Sequence, residues 1–356
     1  MNEKKITIYD IAERSGCSAV TVHRALSGKG RISAATKQRV LQVAEQLGYK
    51  VNPAAQGLRR TPIKLGAVLF CPVEEYVDAI ADGVRACAAS LEKYNVSVQL
   101  HKLPYTDNTD CVAAMCARID ALVEDGCRGI LLFSSAMVEE MEPLYTCVER
   151  HAENGIRFAT VANDIPHINK AVHVGVNAFM AGQMAAELLS LSCRGRAVAL
   201  LAASTSSPVN REYIEGFMQF ADVFSRVSLY EHFDDKEKVA TITRQMLAEN
   251  PDLCGVYMTT ASSVLACRYM EDDLDLSVIT TDLLAETPSL LQQKKANAVL
   301  FQNPFKQGRT ALRALYDCLV ENRNGGTALI TPHILLSSNL ESYLFEKEEP
   351  LDEHTL

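Results

Sequence analysis

The chain has 356 residues, of which 48% are hydrophobic and 22% charged, and its mean hydropathy is near zero. That length and balance suit two or three folded domains and exclude a largely disordered or collagen-like chain. No apolar run reaches the roughly 18 residues of a membrane span; Ala197–Ala203, at seven, is among the longest, which excludes a helical membrane protein. The opening MNEKKITIYD is charged without a following apolar stretch, so it does not read as a secretory signal and a cytoplasmic location is expected. Eleven cysteines, an odd number with no C-x-x-C pair, suit reduced thiols better than a disulfide framework or a zinc site. Neither a metal nor a cofactor is expected.

The net charge of −9 conceals an asymmetry. Residues 1–60 hold eleven Lys/Arg against four acids, a net of +7, and the remainder carries −16. A compact basic module on an acidic body suggests that the first 60 residues meet a polyanion and the rest does not.

Three short helices are predicted in that module. Thr7-Ile8-Tyr9-Asp10 has the spacing of a capping box, with Asp in place of Glu, and Ile8, Ile11 and Ala12 supply an apolar face. Gly16 permits a tight turn. Ser18 can then cap a second helix over Ala19–Leu26, with Val22, Ala25 and Leu26 inward and Ala19, Val20, Thr21, His23 and Arg24 outward. Ser33 can cap a third, in which Val40, Val43, Ala44 and Leu47 fall at helical spacing before Gly48. Two helices joined through a glycine turn and braced by a third make a helix-turn-helix, whose second helix is sized to enter a major groove.

From Ile63 onward short apolar strands alternate with amphipathic helices. Strands are predicted at Lys64–Phe70, Ser97–Leu100, Gly129–Phe133, Phe158–Val161, Ala197–Ala202, Gly255–Met258, Ser277–Thr280 and Ala298–Phe301. Helical patterns cover Val77–Lys93, Met180–Leu191 and Lys238–Glu249. Such alternation implies parallel sheets with right-handed crossovers, and some 280 residues suggest two lobes with a ligand at the strands' carboxyl ends. Glycine-rich dinucleotide and Walker loops are absent, as are H-E-x-x-H and G-x-S-x-G, so an enzyme is not expected.

Residues 6–60 resemble the DNA-binding headpiece of the LacI/GalR family of bacterial repressors. The resemblance rests on Asp10-Ile11-Ala12, Gly16-Cys17-Ser18, Thr21-Val22 with Arg24 and Leu26, Leu47-Gly48-Tyr49, and Asn52, Ala55, Leu58 and Arg59 in order. It implies that Ala19 and Val20 open a recognition helix and touch base edges. Thr7, Tyr9, Ser18, Thr21, His23, Arg24, Ser33 and Thr36 would then hold phosphates or neighbouring bases. His23 stands where the family usually has Ser. Residues 51–62 resemble its hinge helix, with Leu58 as a minor-groove wedge beside Asn52, Ala55 and Gln56.

The body resembles the periplasmic sugar-binding-protein fold that serves as effector domain in this family. The anchors are Asp82-Gly83, VGVNAFMAGQMAAELL at 174–189, NREYIEGF at 210–217, TTD at 280–282 and FQNPFKQG at 301–308. The resemblance implies an α/β protein: an all-α headpiece over 1–50, the hinge, and a two-lobed core over 63–343. One lobe would comprise 63–162 with 290–322, the other 163–289 with 323–343, followed by an acidic tail at 344–356. It also implies a sugar-like effector held by Tyr76, Ser134, Asn163, Asp164, Arg211, Phe233, Thr260, Asp282 and Gln302. Tyr76 and Phe233 can pack on a ring face, while Asp, Asn and Arg satisfy hydroxyls. Three alternatives stand beside these roles: Arg211 pairing with Glu212 or Glu215, Asp282 capping the helix near Glu286, and Asp164 serving a turn with Pro166. Ser134 and Thr260 are smaller than the Asn or Asp often found there, which leaves a phosphorylated or non-sugar ligand open.

The function implied is a repressor acting as a homodimer on a pseudo-palindromic double-stranded DNA operator, without a membrane partner. The tail lacks a leucine heptad, which favours a dimer over a tetramer. The alternative is a small-molecule binding protein of a transport system, which predicts a signal peptide and no basic headpiece.

Overall fold

The computed structural model describes residues 6–27, 32–47, 61–105, 108–135, 141–233, 235–270 and 275–344. The expected hinge helix, with Asn52, Ala55, Gln56 and Leu58, and the tail beyond 344 lie outside the described residues. The chain divides at Thr61 into two compact units.

The first unit is built from caps. Helix α1 (Ile8–Ser15) starts with the complete capping box: Thr7 Oγ1 accepts from Asp10 N at 3.4 Å, and Asp10 Oδ2 accepts from Thr7 N at 2.7 Å. Gly16 ends it at φ +66°, a conformation that costs glycine little. Ser18 Oγ accepts from Thr21 N at 3.2 Å to start α2 (Ala19–Ser27), and Ser33 Oγ accepts from Thr36 N at 3.1 Å to start α3 (Ala34–Gln46). Ile11, Val22, Ala25, Val40 and Ala44 form the small core, as their spacing required.

The second unit holds two six-stranded sheets. The first contains β1 (Ile63–Leu69), β2 (Val96–Lys102), β3 (Cys127–Phe133), β4 (Arg157–Val161), β5 (Val172–Val176) and β11 (Gly326–Ile330), in the order β11-β5-β4-β3-β1-β2, all parallel. The second contains β6 (Ala197–Ala202), β7 (Arg226–Glu231), β8 (Leu253–Met258), β9 (Ser277–Thr281), β10 (Ala298–Phe301) and β12 (His333–Leu335), in the order β12-β10-β9-β8-β6-β7. Here β12 runs antiparallel to β10, a departure from the all-parallel expectation. Both sheets are doubly wound, so loops at their carboxyl ends open a crevice where the strand order reverses.

Helices cover both faces of each sheet. In the first lobe α4 (Glu74–Leu91) packs against α11 (Pro304–Glu321), while α5 (Asn108–Glu124) packs against α6 (Glu142–Glu153). In the second, α7 (Ala178–Cys193) packs against α8 (Pro208–Met218), and α9 (Lys236–Glu249) and α10 (Thr287–Gln292) complete the layers, before α12 (Leu340–Leu344). The two tightest crossings repeat one device. A Cβ on Gly83 would lie 2.0 Å from Phe305 O and one on Gly308 2.2 Å from Ile80 O. Likewise a Cβ on Gly182 would lie 2.0 Å from Tyr213 O, and one on Gly216 2.0 Å from Phe179 O.

The strand pairing moves the expected lobe boundaries. The chain crosses between sheets after β5, between β10 and α11, and between β11 and β12, rather than near 162, 289 and 322. Strands β5 and β11 therefore belong to the first lobe and β10 to the second. Which sheet a strand joins is a tertiary property: Val172 pairs with Ala159 of β4, and Ala298 with Ile279 of β9. Strands β5, β7, β11 and β12 escape the sequence pattern because they lack a continuous apolar run. His173 and Gly175 interrupt β5, β7 is a largely half-buried edge and β11 a largely exposed one.

Candidate functional site

In the headpiece, α2 turns one face outward. Val20 is 61% exposed, His23 and Arg24 are exposed, and Ala19 and Thr21 are half-buried at the helix start. Tyr9 is exposed on α1, and Ser18, Ser33 and Thr7 cap the three helices with their side chains at the surface. The caps also pair their hydroxyls: Ser18 Oγ lies 2.9 Å from Thr21 Oγ1, and Ser33 Oγ 2.8 Å from Thr36 Oγ1. An exposed apolar Val beside His and Arg, on the first two turns of the second helix, suits base edges flanked by phosphates.

In the body, the loops after β1, β3, β4, β6, β7, β8, β9 and β10 enclose a cavity of about 180 Å³ between the lobes. That is below the roughly 300–1,000 Å³ of pockets for drug-sized molecules, so the cavity suits a small ligand. Eight of the nine expected effector residues line it: Tyr76, Ser134, Asn163, Asp164, Phe233, Thr260, Asp282 and Gln302.

Asp282 anchors the second-lobe side. It is buried at φ +70°, its Oδ1 accepts from Gln302 N at 3.2 Å, and its Oδ2 accepts from Gln302 Nε2 at 2.7 Å. It does not cap α10, whose N-cap position is Glu286. Burial pushes its carboxyl up to about 7, against the opposing hydrogen bonds from Gln302. Tyr76 reaches across from α4 to donate to Gln302 Oε1 at 3.4 Å, and Gln307 Nε2 donates to Gln302 O at 2.8 Å. Burial, then the Asp282 charge, holds the Tyr76 phenol well above its ordinary range, so it stays a donor. Tyr76 and Phe133 make an aromatic wall, with ring centroids 5.9 Å apart.

On the first-lobe side Asn163 Nδ2 donates to Ser134 O at 3.2 Å, tying two loops together. Asp164 lies 2.8 Å from Lys170 Nζ and accepts from Thr160 Oγ1 at 3.4 Å; Thr160 in turn meets the buried His173 Nδ1 at 2.9 Å. Burial holds the His173 imidazole below its usual range. Phe233 sits half-exposed at φ +57°, with Lys238 Nζ 5.2 Å above its ring. A bulky residue in the left-handed region is strained, and Asp282, which also lines the cavity, shares that region of φ.

Arg211 is the correction. It does not line the cavity; its Nη1 donates to Thr205 O at 3.3 Å and Ser206 O at 3.2 Å, and the side chain is exposed. Nor does it pair with Glu212 or Glu215 in those contacts. Its neighbours line the cavity instead: Asn210 and Tyr213 face it, and Thr259 Oγ1 donates to Asn210 Oδ1 at 3.1 Å. Helical phase carried the signal, because Asn210, Tyr213 and Phe217 share the buried face of α8 and Arg211 points elsewhere. Sequence reasoning also missed Ser135, Ser204 and Ser206 in the lining. The hydroxyls of Tyr213 and Ser135 are buried without a hydrogen-bond partner among the described residues, which points to a ligand's polar groups. The lining contains no Lys or Arg but two Asp, so a phosphorylated ligand finds no cation on the described wall.

Residues 68–323 match the family of the periplasmic binding protein domain, well over half of the chain. The chain belongs to that family. Residues 7–52 match the lacI family of bacterial regulatory proteins, so a lacI-type helix-turn-helix domain is joined to the periplasmic binding protein domain. The chain is 54% identical over 56 residues to the maltose regulon regulatory protein MalI of Escherichia coli K12, covering 16% of each chain. It is 51% identical over 59 residues to the ribitol operon repressor of Klebsiella aerogenes, covering 16% of this chain and 22% of that one. It is 34% identical over 92 residues to catabolite control protein A of Streptococcus mutans, covering 26% and 27%. The matched stretch thus spans about a quarter or less of these curated relatives. Among solved structures, an ABC transporter solute binding protein from Burkholderia graminis in complex with D-arabinose matches at TM-score 0.69 and 18% identity, over 79% of this chain and 97% of that one. A putative LacI transcriptional regulator from Bacteroides fragilis matches at TM-score 0.67 and 18% identity, over 80% and 100%. These structural likenesses show the fold of the periplasmic binding protein domain.

Proposed function

We propose that this protein is a transcription regulator, a repressor in the usual sense of the lacI family. It binds a pseudo-palindromic operator as a homodimer and responds to a small neutral polyhydroxy compound held between the lobes. The carrying observation is the joining, in one chain, of a basic helix-turn-helix with an exposed α2 face to an effector-type crevice. Relatives named as regulators or repressors over the headpiece support the same reading. The proposed sites are those whose geometry is given above, with Asn210 and Tyr213 replacing Arg211. Residues 51–60, including Leu58, join the two units in sequence and would carry the coupling, which typically amounts to about 1–3 kcal/mol. A ligand that favours one degree of lobe closure shifts the DNA-competent population by its differential affinity. The transport-type alternative gives the basic headpiece nothing to do.

Selection of bound sequences from a randomised DNA pool by the full-length protein at ~150 mM salt tests this reading. The expected result is an enriched palindrome that Arg24→Ala combined with Leu58→Ala removes. Failure to enrich, both alone and with a mixture of pentoses, hexoses and polyols, would overturn it. Calorimetric titration with the same sugars checks the pocket. Arg211→Ala should keep affinity within about fivefold, whereas Asn210→Ala should weaken it by at least about tenfold, the scale of one lost buried hydrogen bond and its orphaned partner. The reverse order would restore Arg211 to the site.

A further inference from the structure

Helices α5 and α6 pack together against one face of the first sheet. Each carries two potential metal ligands four residues apart: Cys116 and Asp120 on α5, Cys147 and His151 on α6. Residues at that spacing stack on one helix face, so the two pairs meet across the contact. Asp120 Oδ1 lies 2.6 Å from His151 Nε2 and 3.9 Å from Cys147 Sγ. The three ligand atoms all fall within 4.8 Å of one another. Cys147 is buried, and Asp120 and His151 are half-buried.

A cation already occupies the focus of this triad. Arg150 Nη2 sits 2.5 Å from Asp120 Oδ1, 3.3 Å from His151 Nε2 and 3.9 Å from Cys147 Sγ. Its side chain is 58% exposed, so it can swing into water at small cost. Cys147 Sγ donates to Cys116 O at 3.9 Å. Cys116 thereby stands beside the site, one turn before Asp120.

We propose that Asp120, Cys147 and His151 bind a borderline divalent transition metal of the zinc class, with Arg150 as a built-in competitor for the position. Thiolate, imidazole and a single carboxylate together select zinc-like ions over magnesium or calcium, which prefer oxygen alone. Zinc bonds of about 2.0–2.3 Å place ligand atoms about 3.3–3.8 Å apart, close to the Cys147–Asp120 separation of 3.9 Å, while the Asp120–His151 pair must open. Binding expels Arg150 and releases the Cys147 thiol proton to solvent, and the fourth position falls to Cys116 or water. The ion would then staple α5 to α6. A search for C-x-x-C spacing does not find such a set, because Asp120 lies 27 and 31 residues from Cys147 and His151 and meets them only through helix packing.

Titrating reduced, chelator-treated full-length protein with Co²⁺ tests the site. The expected result is one Co²⁺ per chain with a sulfur-to-cobalt charge-transfer band, displaced by one Zn²⁺. Cys147→Ser combined with Cys116→Ser should abolish the band, and His151→Asn should weaken binding at least about 100-fold. Arg150→Ala leaves every proposed ligand in place on an exposed position and should tighten binding at least about tenfold. No charge-transfer band in the parent protein, binding that survives Cys147→Ser combined with His151→Asn, or unchanged affinity in Arg150→Ala would each overturn the proposal.

Discussion

Replacing Gly182 with valine is expected to destabilise the second lobe by about 3–5 kcal/mol, in the upper range of single substitutions. The new Cβ would stand 2.0 Å from Tyr213 O, and Gly216 faces Phe179 O at the same distance in return. Both obstacles are backbone, so no rotamer change relieves them. Helices α7 and α8 must separate, and Ala181, Ala185, Tyr213 and Phe217 lose the contacts that make this core. Gly195→Ala supplies the control: it sits at φ +70° with nothing within 4 Å of the added Cβ, so only the left-handed conformation costs, about 1–2 kcal/mol. Urea unfolding of both variants checks the contrast. Equal midpoints would mean that the close helix crossing is not present in solution.

Asp282→Asn is expected to flatten the pH dependence of the ligand-free protein's stability. The folded carboxyl holds its proton up to about 7, while its ordinary value is 3.8. Between those values the folded body keeps a proton that the unfolded chain has lost. The contribution is therefore full below about 3.8 and falls as pH rises, gone once pH passes about 7. At 1.36 kcal/mol per unit the whole swing is at most about 4 kcal/mol, and about 2 of it falls between pH 5.5 and 8.5. His101 and His173 act in the opposite direction, since burial lowers their values and their stabilisation is lost as pH falls. The readout is thus the difference between parent and Asp282→Asn across that window. A difference independent of pH would show that Asp282 is ionised in the folded crevice.

The headpiece was legible nearly in full because its determinants are local. Thr7, Gly16, Ser18 and Ser33 fix helix boundaries through neighbours within a few residues, and the core residues repeat at helical spacing. The crevice was legible where a residue lies within two positions of a strand's carboxyl end, as Ser134, Asn163, Thr260 and Asp282 do. Arg211 misled because the resemblance supplied it position by position while helical phase, which placed Asn210 inward, went unused. Lobe membership of β5, β10 and β11 was not legible, since it depends on partners such as Ala159 and Val172 meeting in space.

The three passages between the sheets have a consequence for biosynthesis. Among the described residues the headpiece core is complete by Leu47, so it can fold soon after it leaves the ribosome. The first lobe cannot, because α11 and its edge strand β11 arrive only at 304–330, after nearly all of the second lobe has been made. Until then α4 presents the face around Gly83 without its partner helix, and β5 lacks the neighbour that closes its outer edge. A nascent chain therefore holds a finished headpiece before it holds a finished crevice. A chain cut short between the end of the headpiece and Gly326 would keep the first and lack the second.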